Sequence, residues 1–501
     1  MLKMVDGTGI IGVDMVCPLG GTVSPPQPPN YDNIEMEGVG SLMLPNSLKA
    51  PLERVELIGN SVQGENPAPD NPQEIKSAGR KSKNLLNLQK QPDVKETYLG
   101  WKVSDGRNVV LSVKDKGNNA DITGCYLGLS RTGGSSDGVA WAVNNGSVVA
   151  KEVVSKNQYV SVFPSNETIV RKLLERFDIQ VEYGNNATDY EPYGYFLDVK
   201  VTGKNLFSNK PTDWMIGKGL SWSTYPNDPI SIYRVINSAV NVINLKPSTT
   251  YSIVNNSEKI VISRMIERNL SENGIKDHDV RSSKYTFVTN QNAMNAILQL
   301  KKVDGTELLS SDIESIKIML VEGEANENAP YQPYTEQTVQ IALNEPLRGI
   351  GEYKDTITKD GVVRKILKAP LVKYLKPVIN GNVGDRYVFA EVPNANINYD
   401  RKRCMSNVGF TNSTEKKKYI PHPYQLNFLI RVADDDTIEM VKEKIKDIIV
   451  AYTTKDPVIE PLPESVQAQL QALHTENGTT HVFADSGEVE CGIKLTYRKE
   501  K

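Results

Sequence analysis

The chain has 501 residues, room for roughly three or four domains at the usual domain length. Its formal net charge of −3 leaves no basic surplus to neutralise phosphates, which excludes a general nucleic-acid binder. No run approaches the roughly 20 apolar residues of a membrane span, and no basic n-region followed by an apolar core marks a signal peptide. Cys17, Cys125, Cys404 and Cys491 are scattered with no CxxC spacing, so isolated reduced thiols are expected, and neither a cofactor nor a metal is read from the sequence.

In chain order, residues 1–50 are expected to be an extended arm. They contain Gly7-Thr8-Gly9-Ile10-Ile11-Gly12, a literal GxGxxG. Only six residues precede it, and Pro18, Gly20 and Gly21 forbid the helix a dinucleotide site requires. Pro25-Pro26-Gln27-Pro28-Pro29 is a stiff polyproline-like spacer, so the segment reads as an arm that docks on a neighbouring subunit. Residues 51–79 form a β linker, in which Val55 and Leu57 alternate with Glu56 and Ile58 before a Gly59-Asn60 break and a proline-stiffened run.

Residues 80–197 hold a first unit. It opens at Lys83-Asn84-Leu85 and carries strand-like runs at 108–113, 124–129, 139–143 and 159–163, separated by Gly/Asn/Ser/Asp clusters. It closes with Phe177, Ile179 and Val181 alternating against polar residues, then Tyr190-Glu191-Pro192-Tyr193. Residues 198–338 repeat the plan, from Lys204-Asn205-Leu206 through Ile316, Ile318 and Leu320 to Tyr331-Gln332-Pro333-Tyr334. The openings are 121 positions apart (84 to 205) and the closings 141 (190 to 331), so the second copy holds about 20 extra residues. Short strands at this spacing predict antiparallel sandwiches, and matched beginnings and ends predict an internal duplication. The closing tyrosines are expected to pack against the sandwich.

Residues 339–366 form a hairpin linker with its turn at Asp360-Gly361. Residues 367–501 are expected to be an α+β domain. Ile438, Val441, Ile445, Ile448 and Ile449 have helical spacing behind Asp436 as N-cap, Val466, Leu470 and Leu473 mark a second short helix over 464–473, and Val489, Cys491, Ile493, Leu495 and Tyr497 alternate along a last strand. The fold class is therefore mainly β: two tandem jelly-roll-like β-sandwiches with an N-terminal extended arm and a C-terminal α+β domain.

Several phrases resemble those of tail fibre, tail-tip and baseplate proteins of phages that infect Gram-positive bacteria. They are PLERVELIGNSVQGENPAPDNPQEIKSAG (51–79), the two Lys-Asn-Leu blocks, the two Tyr-x-Pro-Tyr closings, ALNEPLRGIGEYKDTITKDG (342–361) and, less specifically, 449–475. The resemblance covers about residues 40–366. It implies a virion structural protein assembled in the bacterial cytoplasm. Its implied partners are other tail or baseplate proteins and further copies of itself, as a homotrimer. It does not identify a chemistry. The alternatives are a tail-associated enzyme that degrades polysaccharide and a dedicated receptor-binding protein.

No catalytic constellation is read. HExxH and GxSxG are absent, and His474 and His481 stand seven apart across a turn with no third ligand nearby. For binding to host cell-surface polysaccharide the candidates are the aromatics of the duplicated region: Trp101, Trp141, Trp214, Trp222 and Tyr225. Core packing is the commoner fate of a tryptophan. The pair Trp222 and Tyr225, in a Gly/Ser/Asn-rich stretch, is the better candidate for stacking on a sugar.

Overall fold

A computed structural model describes residues 30–501 except 89, 137, 218–237, 270–273, 281, 294, 327–329 and 412–416, together with the short pair Val5–Asp6 and Gly9–Ile10. The protein is mainly β, in antiparallel sheets. The GxGxxG does not follow a parallel strand: Gly9–Ile10 pairs back on Val5–Asp6 as a hairpin. No helix among the described residues is long and apolar enough to cross a membrane.

The first unit's strands are, in chain order, Val94–Lys95, Leu99–Lys102, Val109–Asp115, Tyr126–Ser130, Ala140–Asn144, Ser147–Val148, Glu152–Ser155, Tyr159–Phe163 and Phe177–Tyr183. One sheet has the order sixth, fifth, fourth, eighth, second, first; the other has seventh, third, ninth. Side chains from both, among them Leu111, Leu127, Val160 and Val181, share one core. Helix Glu167–Arg176 adds Val170 and Leu173 to it, behind an Asn166 cap that accepts from Ile169 N.

The second unit's strands are Met215–Gly217, Ser238–Asn244, Thr250–Asn255, Ile260–Arg268, Gly274–His278, Lys284–Val288, Asn295–Lys302 and Ile318–Glu322. Its sheets run fifth, fourth, seventh, second, first and sixth, third, eighth. Omitting the two-residue Ser147–Val148 from the first unit makes the two orders identical. The Lys-Asn-Leu phrases explain how both units close. Asn84 Oδ1 accepts from Leu86 N and Val181 N while its Nδ2 donates to Ile179 O. Asn205 Oδ1 accepts from Phe207 N and Leu320 N while its Nδ2 donates to Ile318 O. Each asparagine is buried and clasps the opening of its unit to the last strand.

The stretches between the units are not separate linkers. They interlock with both ends of the described chain in one 12-stranded ladder. Its spine runs Glu336–Leu343, Tyr195–Thr202, Gly478–Asp485, Ser41–Ser47, Gly492–Glu500, Arg54–Ile58, Thr356–Thr358, Gly361–Pro370, Ile449–Glu460, Cys404–Ser406. Tyr31–Val39 pairs along the whole of Gly492–Glu500, and Arg80–Lys81 pairs with Tyr195–Thr202. Each unit leaves and rejoins this frame at paired strands. The first is inserted between Arg80–Lys81 and Tyr195–Thr202. The second lies between Tyr195–Thr202 and Glu336–Leu343. A third, residues 371–448, lies between Gly361–Pro370 and Ile449–Glu460.

This redraws three expected boundaries. The arm expected over 1–50 gives way at Tyr31 to frame strands. The linkers 51–79 and 339–366 pack on each other. The C-terminal region 367–501 divides: 371–448, with 449–452, surrounds its own core of Val388, Phe428, Ile430, Val441 and Ile445, whereas the rest joins the frame. The capping residue of helix Ile438–Ile445 is Thr437, which accepts from Met440 N; Asp436 is instead drawn inward by Ala433 N, the Tyr419 hydroxyl and Lys444.

The phrases that carry the resemblance form a buried polar lock. Asp355 accepts from the backbone N–H groups of Arg348, Lys365 and Ile366 at 2.9, 2.7 and 3.0 Å. Arg364, 2% exposed, donates to the carbonyls of Glu345 and Pro346 and pairs with Glu460. Gly59 and Gly349 touch backbone to backbone: a Cβ on Gly59 would lie 2.4 Å from Arg348 O, and one on Gly349 2.5 Å from Gly59 O. Cys125, Cys404 and Cys491 are free and buried, and burial pushes the Cys491 thiol up to about 11.

Candidate functional site

In the first unit's six-stranded sheet, alternation sends Leu127, Leu129, Val160 and Val162 to the core and Tyr126, Ser130, Tyr159, Ser161 and Phe163 to the opposite face. Tyr126 and Phe163 are direct cross-strand partners, and their rings meet edge to face with centroids 5.5 Å apart. Trp141 stands opposite Gly128 on the adjoining strand, where a Cβ would come within 3.0 Å of its ring; the glycine makes room for the indole. Tyr98, just before strand Leu99–Lys102, completes the group, 4.9 Å from Phe163 and 6.2 Å from Trp141. Its plane is within 33° of Trp141 and 40° of Phe163, while Tyr126 stands edge-on to both at 64° and 70°. All four rings are half-buried, so one face of the cluster remains open to solvent.

A polar rim lies beside this platform. Ser130 and Ser161 share a hydrogen bond at 2.5 Å. Gly133 N donates to Ser130 Oγ, and Ser161 Oγ also donates to Gly133 O. Asn157 Nδ2 holds the carbonyls of Leu129 and Gly138. The loop carrying Arg131 and Thr132 is thereby tied down at the platform's edge. Ser130 and Ser161 are themselves fully buried, so they fix the loop while the aromatic faces are what a ligand meets; such faces suit a ligand with an apolar face, as a pyranose ring has.

Of the three described tryptophans, Trp101, Trp141 and Trp214, the structure brings Trp141 alone to this face. Trp101 is 4% exposed in the core, with Nε1 donating to Lys90 O at 2.9 Å. Trp214 is 5% exposed, packs on Phe207 at 5.4 Å and donates to Ser208 O. Both are corrected from ligand contacts to core residues, each buried with its N–H satisfied. Trp222 and Tyr225 lie outside the described residues. Tyr98, Tyr126 and Phe163 escaped the sequence reading. Their signal was the register: Tyr126 and Phe163 alternate against leucines and valines.

The Tyr-x-Pro-Tyr closings differ between the copies. Tyr331 is half-buried and donates to Ile316 O; Tyr334 donates to Glu336. Although burial opposes it, Lys200, Tyr334 and Lys210 hold the Glu336 carboxyl down at about 2. Tyr190 and Tyr193 are instead exposed, and the intervening Glu191 is bound by Arg80 at 2.8 Å.

A cleft of about 610 Å³ between the frame and the second unit gathers Asp198, Asp213, Glu336 and Asp485. Each is engaged: Asp198 by Arg80, Asp213 by Ser208, Glu336 by Lys200 and Asp485 by Gly487 N. Among the described residues no group of three or more His, Cys, Asp or Glu is placed to hold a metal ion.

No protein-family model and no curated protein matches the chain. Among solved structures, the infectious bursal disease virus VP2 subviral particle aligns at 8% identity over 95% of this chain and 83% of its own, with a TM-score of 0.11. Derived T=1 particles of the same virus align at 8% identity over 94% and 80%, also with a TM-score of 0.11. Likeness this slight carries no argument about fold or function.

Proposed function

We propose that the chain is a structural component of a phage tail or tail-like particle, in the fibre or baseplate, that works as a homotrimer with other tail proteins. In this reading it meets host cell-surface polysaccharide through the platform of Tyr98, Tyr126, Trp141 and Phe163. The observation that carries the scaffold role is the frame. Its buried polar residues, Asp355 and Arg364 foremost, bond to backbone and to each other rather than converge on a cavity. Three units are thereby held on one ladder by paired strands. The phrases resembling tail proteins are the ones that build this lock, which supports the same reading.

The test is to label particles with antibodies against this chain and image them by electron microscopy. Label at the tail tip or along a fibre is the expected result. Recovery of the chain solely as a free monomer with catalytic turnover overturns it.

A further inference from the structure

The third unit carries a second aromatic face of different geometry. In its three-stranded sheet Val388, Phe428 and Ile430 point to the core, while Tyr387, Phe389 and Tyr424 alternate to the other side. Phe389 stands opposite Leu429, and Tyr424 opposite Asn427. Tyr399, 49% exposed, joins Tyr424 from a neighbouring loop. The rings form a chain: Tyr387 to Phe389 at 5.4 Å and 77°, Phe389 to Tyr424 at 5.6 Å and 46°, Tyr424 to Tyr399 at 5.0 Å and 71°. Successive rings cross steeply, so the surface is ridged and slotted where the first unit's platform is flatter.

The backbone beneath is strained. Asn398, Tyr399 and Gln425 have φ of 42°, 62° and 51°, although none is glycine. A left-handed non-glycine residue costs about 1–2 kcal/mol, and such strain persists where the surroundings over-determine it. Here Asn398 N donates to Gln425 O at 2.6 Å and locks the two loops together, which presents Tyr399 against Tyr424. Leu426 beside it is 56% exposed.

We propose that this tyrosine ladder receives the polyproline segment Pro25–Pro29 of a second copy of the chain. Slots between edge-on rings fit pyrrolidine rings, and an extended proline-rich strand has carbonyls with no internal partners and few N–H groups to satisfy. Tyr399 and Tyr424 share a hydrogen bond, which leaves one hydroxyl proton to donate, and the Asn427 and Gln425 amides are further suitable donors. A five-residue polyproline II stretch is roughly 15 Å long, matched to four rings set 5.0–5.6 Å apart. Residues 11–29 lie outside the described residues, and the chain is fixed again at Asn30, whose carbonyl accepts from Lys501 N at the end of the frame. The inference rests on the multi-copy assembly proposed above.

The experiment places a photo-crosslinking amino acid at Gln27 in the full-length chain. Isotopically light and heavy copies are mixed, irradiated and mapped by mass spectrometry. Light-to-heavy crosslinks within 387–431 are expected. They should fall at least tenfold in Tyr399→Ala and Tyr424→Ala chains that keep the wild-type melting temperature, and in a Pro26→Ala/Pro28→Ala chain. Crosslinks confined to one chain or to other surfaces overturn the proposal. An oligomer with unlabelled tyrosines sinks this inference alone; a chain that is monomeric at every concentration sinks the assembly as well.

Discussion

The first and second units share one strand order but present different outward faces. Both have the same strand order, apart from the two-residue Ser147–Val148, and both are closed by a buried asparagine in the same register. Their outward sheet faces differ. The first shows Tyr126, Trp141 and Phe163, half-buried and open. The second has Val240, Ile266 and Ile297 at alternate positions, 2%, 6% and 3% exposed. Duplication preserved the residues that close the unit and let the face diverge, so shared fold does not imply shared binding.

The strongest way to break this comparison is at the clasps. Asn84→Ala and Asn205→Ala each strand two backbone N–H groups, with one carbonyl for Asn84 and two, of Ile318 and Gln332, for Asn205. Each should cost its own unit about 3–5 kcal/mol and leave the other intact, read by unit-resolved hydrogen exchange. Unequal losses would show that the asparagines are not equivalent. Next comes Trp101→Ala, which empties a core site and should destabilise the first unit by about 3–5 kcal/mol, measured as a lowered melting temperature; a ligand residue would instead leave stability nearly unchanged.

Acid should separate the units. The first contains no histidine. Where the second meets the frame, His481 lies 1% exposed opposite Thr202, 3.7 Å from Glu322. Burial, reinforced by Lys246, lowers its imidazole from 6.5 to about 4. The unfolded chain therefore takes up a proton that the folded chain refuses. Stability is full above about pH 6.5 and falls as pH drops towards 4, by up to about 3 kcal/mol. A denaturant series across this range should show the loss, and His481→Gln should flatten it. The second unit's own histidine, His278, is buried against Glu267 at 2.6 Å and Tyr285 at 3.0 Å, so the subtraction against His481→Gln is what isolates the junction.

What the sequence revealed was local. The Asp360-Gly361 turn pairs Thr358 with Gly361 as expected, helix Glu464–Ala472 forms where Val466 and Leu470 predict it, and Val489, Cys491, Ile493, Leu495 and Tyr497 are all buried. The frame was illegible because its pairings join residues hundreds of positions apart, such as Tyr31–Val39 with Gly492–Glu500, and no period in either strand encodes its partner. Three of the four platform residues, Tyr98, Tyr126 and Phe163, were hidden for a related reason. Tryptophan as a residue type drew attention to Trp101 and Trp214, whereas exposure depends on register. Trp101 falls in phase with core Leu99, and Tyr126 out of phase with Leu127.

The smallest effect in free energy bears most directly on the account's central claim, that the first unit's aromatic face is the contact surface. Binding of cell-wall polysaccharide from the host bacterium should be measured by co-sedimentation for wild type, Trp141→Ala, Tyr126→Ala and, in the second unit, Val242→Ala. Stacking worth about 1–3 kcal/mol predicts roughly five- to 150-fold weaker binding for Trp141→Ala and Tyr126→Ala at unchanged fold, with Val242→Ala like wild type. Equal binding by all four chains would contradict it.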